Sequence, residues 1–194
     1  DPILNTMMGY GDDELASIMF HELSHQVIYV AGDTAFNEAF AVAVEQEGLA
    51  RWLKFRGREA ELGKYLRRRE RQAESLATVA RYRRELAQLY AAPIPESVMR
   101  ERKRGVFSRL VSELRALAQR YGTESTLAAE LDGQPNNARL ASLATYYECV
   151  PGFRRVLAEQ RHDLPRFYEA VRELAKLSRE ERHARLCGPK AGDP

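Results

Sequence analysis

Asp12-Asp13-Glu14-Leu15-Ala16-Ser17-Ile18-Met19-Phe20-His21-Glu22-Leu23-Ser24-His25-Gln26-Val27, followed by Gly32-Asp33-Thr34-Ala35-Phe36-Asn37-Glu38-Ala39-Phe40-Ala41, sets the architecture of this chain. Asp12 and Asp13 offer N-cap chemistry to a run whose apolar residues Leu15, Ile18, Met19 and Val27 suit a largely buried helix, stopped near Gly32. Asp33 or Thr34 caps a second helix that runs through Phe36, Phe40 and Val44 toward Trp52 and Leu53. The two form a tight helical hairpin.

Inside the first helix lies His21-Glu22-Leu23-Ser24-His25, an H-E-x-x-H. Side chains four apart share a helical face, about 5–6 Å from one another, so both imidazoles can reach one metal ion. Glu22 is then placed to act on a metal-activated water without ligating. The third ligand follows from hairpin geometry. If the chain turns around Ala31–Gly32, Glu38 lies level with His25, whereas Glu45 lies level with Ile18, about 10 Å further along. Glu38 is therefore the expected ligand, and Glu45 is expected to support a ligand from behind or to be solvated. The apolar surroundings of Glu38, Ala35-Phe36-Asn37 and Ala39-Phe40-Ala41, call for a partner for its carboxylate. Two His and one Glu with an open fourth position form a catalytic zinc pattern rather than a structural one. Asp33 is read as an N-cap first and as an orienter of a ligand histidine second.

Charge supports the same place. Residues 1–50 contain nine acids and no Lys or Arg. Residues 51–120 carry 19 basic side chains against 8 acidic ones, and residues 121–194 balance at 11 of each. The formal net charge of +2 thus averages unlike parts. Cations near a dication site would oppose the metal and compete for its carboxylates, so their absence has a reason.

Beyond the hairpin, Leu62, Leu66, Ala73, Leu76, Ala80 and Tyr90 recur at helical spacing over Glu59–Tyr90, and Ala92-Pro93-Ile94-Pro95 breaks the run. Val106 or Phe107, Leu110, Leu114, Leu117 and Tyr121 repeat the pattern up to Gly122, which predicts two long antiparallel helices. Gly133-Gln134-Pro135-Asn136-Asn137 reads as a loop before a helix through Leu140, Leu143 and Tyr146. Pro151-Gly152 should interrupt the chain before a helix near Phe153–Gln160, with Leu164–Leu177 the last helix and the tail from Cys187 frayed.

The expected fold is mainly α: a metal-binding helical hairpin over 1–57, a long antiparallel hairpin over 58–122, and a C-terminal helical region over 123–194 that completes the site. The 194 residues, 44% hydrophobic and 30% charged, suffice for a core and exclude fibrous, disordered and disulfide-dense classes. Cys149 and Cys187 lie far apart, without metal-ligand or redox-motif spacing, and their redox state stays open. No apolar run approaches the roughly 18–20 residues of a membrane span. Asp1-Pro2 is not an initiator sequence, so an upstream segment is expected.

The chain resembles gluzincin metallopeptidases, whose glutamate ligand lies in an N-E-[AG] helix, as in Asn37-Glu38-Ala39. More closely, Phe20–Gln26, Gly32–Ala41, Val44-Glu45 and Gly48 resemble a bacterial family of predicted zinc aminopeptidases. Asp1–Thr6, Asn136–Leu140, Tyr146, Val150-Pro151 and Phe153 extend the similarity toward both ends. The resemblance implies a zincin-like core, one zinc ion, a peptide substrate and periplasmic or membrane-anchored placement, with membrane proximity through an upstream anchor. It also offers Tyr146 as the donor to the oxyanion, with Tyr147 and His162 as competitors. Asn136 and Asn137 are candidates for binding substrate backbone, although a capping turn explains them as well.

A second class of function remains: a zinc-stabilised helical module without catalysis, whose arm, with Arg67-Arg68-Arg69 and Arg100 to Arg104, binds nucleic acid or anionic membrane. Against it, the arm's basic residues alternate with Glu59, Glu61, Glu70, Glu74 and Glu85, and between Arg56 and Leu89 only Tyr65 and Tyr82 lie among them as aromatics. That is the pattern of a solvated face, and no nucleic-acid partner is expected.

Overall fold

The computed structural model describes residues 9–132 and 137–187, and of residues 144 and 145 the backbone alone. It is 82% helical. Among the described residues are nine helices and no strand: α1 (Asp12–Val27), α2 (Thr34–Phe55), α3 (Glu59–Ala91), α4 (Glu96–Arg120), α5 (Thr126–Leu131), α6 (Asn137–Tyr147), α7 (Val150–Glu159), α8 (Leu164–Ala175) and α9 (Arg179–Leu186). None of them is long and apolar enough to cross a membrane. The chain divides into two compact units, one of residues 9–66 with 145–187 and the other of the described residues of 67–144. The boundaries fall within the residue ranges of α3 and α6.

In the first unit α1 and α2 form the hairpin. Gly11 takes the N-cap position of α1, without a side-chain cap, so Asp12, Asp13 and Glu14 occupy the first turn and act on the helix dipole instead. α1 ends at Val27, earlier than Gly32, and residues 28–33 form the connection, with Gly32 at φ 78°. Asp33 caps α2 by accepting from the Phe36 amide. Asn37 holds the connection in place: its Oδ1 accepts from Val30 N at 2.8 Å and its Nδ2 donates to Val30 O at 2.8 Å.

The back of α2 is the spine of this unit. Phe36 and Phe40 are buried against Phe153 of α7, and Phe40 also meets Phe167 and Tyr168 of α8, with ring centroids 5.1–6.1 Å apart. Further along α2, Leu49 and Leu53 pack with Tyr65, Trp52 and Ala16. Arg58, in the turn after α2, pairs with Asp13 of α1 and lies over the Trp52 ring.

Two readings of the C-terminal region are corrected, and the pairing of its cysteines, open in the sequence, is given by the structure. Pro151 and Gly152 begin α7 rather than interrupt the chain, because proline in a first helical turn lacks only an amide that would have had no intrahelical partner. Leu164–Leu177 is not the last helix: Ser178 starts α9 with a reciprocal capping box to Glu181. Cys149, just before α7, and Cys187, just after α9, form a disulfide that ties this last helix into the core.

In the second unit α3 and α4 run antiparallel. Arg71 bonds Thr123, Arg120 bonds Glu74, Arg81 bonds Glu113 and Arg109 bonds Glu85, so one partner's number falls as the other's rises, in a constant register. Val79, Tyr82 and Leu86 of α3 pack on Val106, Phe107, Leu110, Val111 and Leu114 of α4. The short α5, which sequence periodicity did not reveal, adds Ala128 and Leu131 to this core, and α6 adds Leu140.

Candidate metal centre

The facing sides of α1 and α2 carry the chemistry. His21 and His25 lie one turn apart on α1 with ring centroids 5.2 Å from each other. Glu38, in the second turn of α2, reaches both: Oε2 is 3.4 Å from His21 Nε2, and Oε1 is 4.0 Å from His25 Nε2. The three side chains are each about four-fifths buried, and their donor atoms all lie within 4.8 Å of one another.

Glu45, two turns further along α2, stands behind His21. Its Oε2 is 3.1 Å from His21 Nδ1, and its Oε1 accepts from Ser17 Oγ at 2.6 Å. The Nδ1 of His21 is thereby engaged and Nε2 is turned toward Glu38. His25 is supported differently: its ring meets Tyr29 edge-on, and its buried Nδ1 has no hydrogen-bond partner among the described residues.

Burial and charge separate the two histidines. Burial alone would lower the pKa of His21, but the hydrogen bond to Glu45 and the charges of Glu45, Glu38 and Glu22 outweigh it and hold the ring above its ordinary value. For His25 burial prevails over the charge of Glu38, and the pKa is lowered. The carboxylates around His21 thus favour positive charge at this place.

The donor set suits zinc. Tetrahedral ligands at about 2.0–2.1 Å from an ion stand roughly 3.3–3.5 Å from one another. The observed 3.4 Å to one Glu38 oxygen and 4.0 Å to the other, with all donor atoms within 4.8 Å of one another, are of that order. Two imidazoles and one carboxylate leave a fourth position open. Glu22, one residue past His21 on α1, is partly buried, and its charge acts on both rings.

The remaining sequence candidates lie elsewhere. Asp33 is 1% exposed; its carboxylate meets the Phe36 amide, Arg182 at 2.9 Å and His183 at 2.8 Å, and none of its bonds goes to His21 or His25. Tyr146 is 42% exposed near the end of α6 and makes no hydrogen bond or ring contact with His21, His25 or Glu38. Tyr147 packs against the aromatic core of the first unit. His162 follows α7 with φ 60°, and its Nδ1 is 3.4 Å from Glu47. Asn137 belongs to the second unit, where its Oδ1 accepts from Tyr90 at 3.1 Å, and Asn136 lies outside the described residues.

Four contributors escaped sequence reasoning. Ser17 gives no signal, being one small polar residue in a helix. Asn37 could have been suspected from a polar amide among apolar neighbours in a first turn. Arg182 and His183, about 150 residues from Asp33, leave no local trace.

Comparison with curated proteins and with solved structures finds no match. A family model does match, over residues 1–186, which is nearly the whole chain and includes the α1–α2 hairpin with all of its donors. The chain belongs to the family described as "Putative aminopeptidase", which supports a peptidase function.

Proposed function

We propose that the chain is a zinc-dependent peptidase of aminopeptidase type. The observation that carries this reading is the convergence of His21 Nε2, His25 Nε2 and the Glu38 carboxylate, with Glu22 on the same helix as the two imidazoles. A structural site has no use for a carboxylate beside an open ligand position. A zinc ion bound there supplies Lewis acidity to the scissile carbonyl and to the attacking water.

The protein's own groups do the rest. Glu22 takes the proton from the water as it attacks and passes it to the departing amine. His21 and His25 stay neutral as ligands, for which the lowered pKa of His25 already suits it. Glu45 holds the His21 ring, with Nδ1–H as donor and Nε2 free to ligate. Tyr146, in the same unit as the hairpin and with its ring 42% exposed, is proposed as the donor to the developing oxyanion.

The test is a pair of measurements on the same preparations. Metal analysis should return about one zinc per chain, lost on changing His21, His25 or Glu38, while Glu22→Gln keeps zinc and loses peptide hydrolysis. Hydrolysis retained in Glu22→Gln overturns the mechanism. Zinc retained after loss of two of the three ligands overturns the site.

A further inference from the structure

Ser17 has an unusual bond for its position. A serine in the middle of a helix ordinarily turns its hydroxyl back to the carbonyl four residues earlier. The Ser17 hydroxyl instead crosses to α2 and donates to Glu45 Oε1 at 2.6 Å, a partner 28 residues away. The other oxygen of the same carboxylate holds His21 Nδ1 at 3.1 Å, and the far nitrogen of that ring faces Glu38. Ser17, Glu45, His21 and Glu38 therefore form one polar chain that passes back and forth between the two helices.

We infer that Ser17 is a positioning residue for the metal centre: by fixing the Glu45 carboxylate, it fixes the tautomer and orientation of His21. This rests on the reading that His21, His25 and Glu38 hold zinc. The torsion at the end of a glutamate side chain is broad, so a carboxylate held at one oxygen alone can swing. The Ser17 bond pins the second oxygen. Pinned in this way, Glu45 accepts from Nδ1–H, Nε2 keeps its lone pair for the ion, and Glu45 stays behind the ring rather than entering the ligand set. The chain of contacts is short, and Ser17 reaches His21 through Glu45.

The experiment uses the whole chain as wild type, Ser17→Ala and Ser17→Thr. Zinc affinity is read by competition with a chromophoric chelator, the His21 tautomer by long-range proton–nitrogen NMR of the metal-free protein at alkaline pH, where the ring is neutral, and folding by thermal melting. Losing a partner behind a metal ligand typically costs about 10–100-fold in affinity, and Ser17 is one bond further out, so about 3–10-fold is expected for Ser17→Ala. Its His21 signals should change from one Nδ1–H form to a mixture, with melting little altered, and Ser17→Thr should restore both the affinity and the single tautomer. Wild type that binds zinc while Ser17→Ala binds equally well with an unchanged tautomer overturns this inference alone. Wild type that takes up no zinc overturns the metal centre, and this inference with it.

Discussion

Gly48 of α2 faces the ring of Phe20 of α1 so closely that a methyl group on its Cα would lie 2.7 Å from Phe20 Cγ. The atom met is the root of the ring, which cannot move aside without moving the whole side chain. α1 and α2 approach each other closely here. The absence of a side chain at residue 48 is thus one reason that the donors of the two helices lie within ligand distance.

Gly48→Ala sets two effects against each other. Alanine is favoured over glycine inside a helix by up to about 1 kcal/mol. Overpacking a closed interface costs roughly 1–3 kcal/mol. With contacts of 2.7–2.9 Å to three ring atoms the second effect should prevail. The variant should unfold at lower denaturant concentration and bind zinc more weakly; a stabilised variant with unchanged zinc affinity would show that the ring yields.

Asp33 should govern acid stability. Burial would raise its pKa, but hydrogen bonds from His183, Arg182 and the Phe36 amide outweigh burial and lower it. The folded value therefore lies below the unfolded value of about 4, so the stabilisation is complete above about pH 4 and is lost as pH falls through the folded value. Asp33→Asn should flatten the stability profile in that acid window. At neutral pH it should cost roughly 3 kcal/mol, at the low end for breaking a buried pair, because Arg182 keeps bonds to the carbonyls of Ala175 and Leu177. Denaturant unfolding of both proteins between pH 2.5 and 7, on the order of one point per half unit, measures this.

What was legible in the sequence was what is local or periodic. The long helices follow from apolar spacing, and the H-E-x-x-H falls within one of them. Two helices that rise equally per residue about one turn bring mirrored positions together, which is why counting outward from Ala31–Gly32 puts Glu38 opposite His25, 4.0 Å away in the structure. The same count puts Glu45 at Ile18, and its nearest partner is the adjacent Ser17. What was not legible depends on contacts remote in sequence. Nothing near Cys149 announces Cys187, and nothing near Asp33 announces Arg182 and His183. The short α5 and α9 are too brief to show a period, and α9 is defined by its capping box rather than by an apolar stripe. The spine of α2 against α7 and α8 is of the same kind: Phe40 predicts burial, but not which rings cover it.

The disulfide should be a main support of the first unit. It links residues 38 apart and encloses α7, α8 and α9. Constraining an unfolded loop of that length is worth about 2–4 kcal/mol. The chain should unfold at clearly lower denaturant concentration with reductant present, and the double variant Cys149→Ser with Cys187→Ser should match the reduced protein and ignore reductant. An unfolding midpoint that is the same with and without reductant in the wild type would contradict the support assigned to this bond.

Zinc and folding should be linked through Glu38. In the hairpin Glu22, Glu38 and Glu45 lie around two imidazoles, and their charges act on His21. A dication bound by the folded form alone would add stability in proportion to the logarithm of its concentration, about 2.7 kcal/mol at a hundredfold excess over the dissociation constant. Melting temperature should therefore climb with added zinc and fall with chelator. Glu38→Gln keeps the shape of the side chain but replaces a charged ligand with a poor one, so its melting should become indifferent to zinc. Its metal-free form should melt close to the metal-free wild type, since the carboxylate's partners there are His21 at 3.4 Å and His25 at 4.0 Å rather than a hydrogen-bonded cation. A zinc-dependent rise that survives Glu38→Gln would place the ion on other donors and remove Glu38 from the centre.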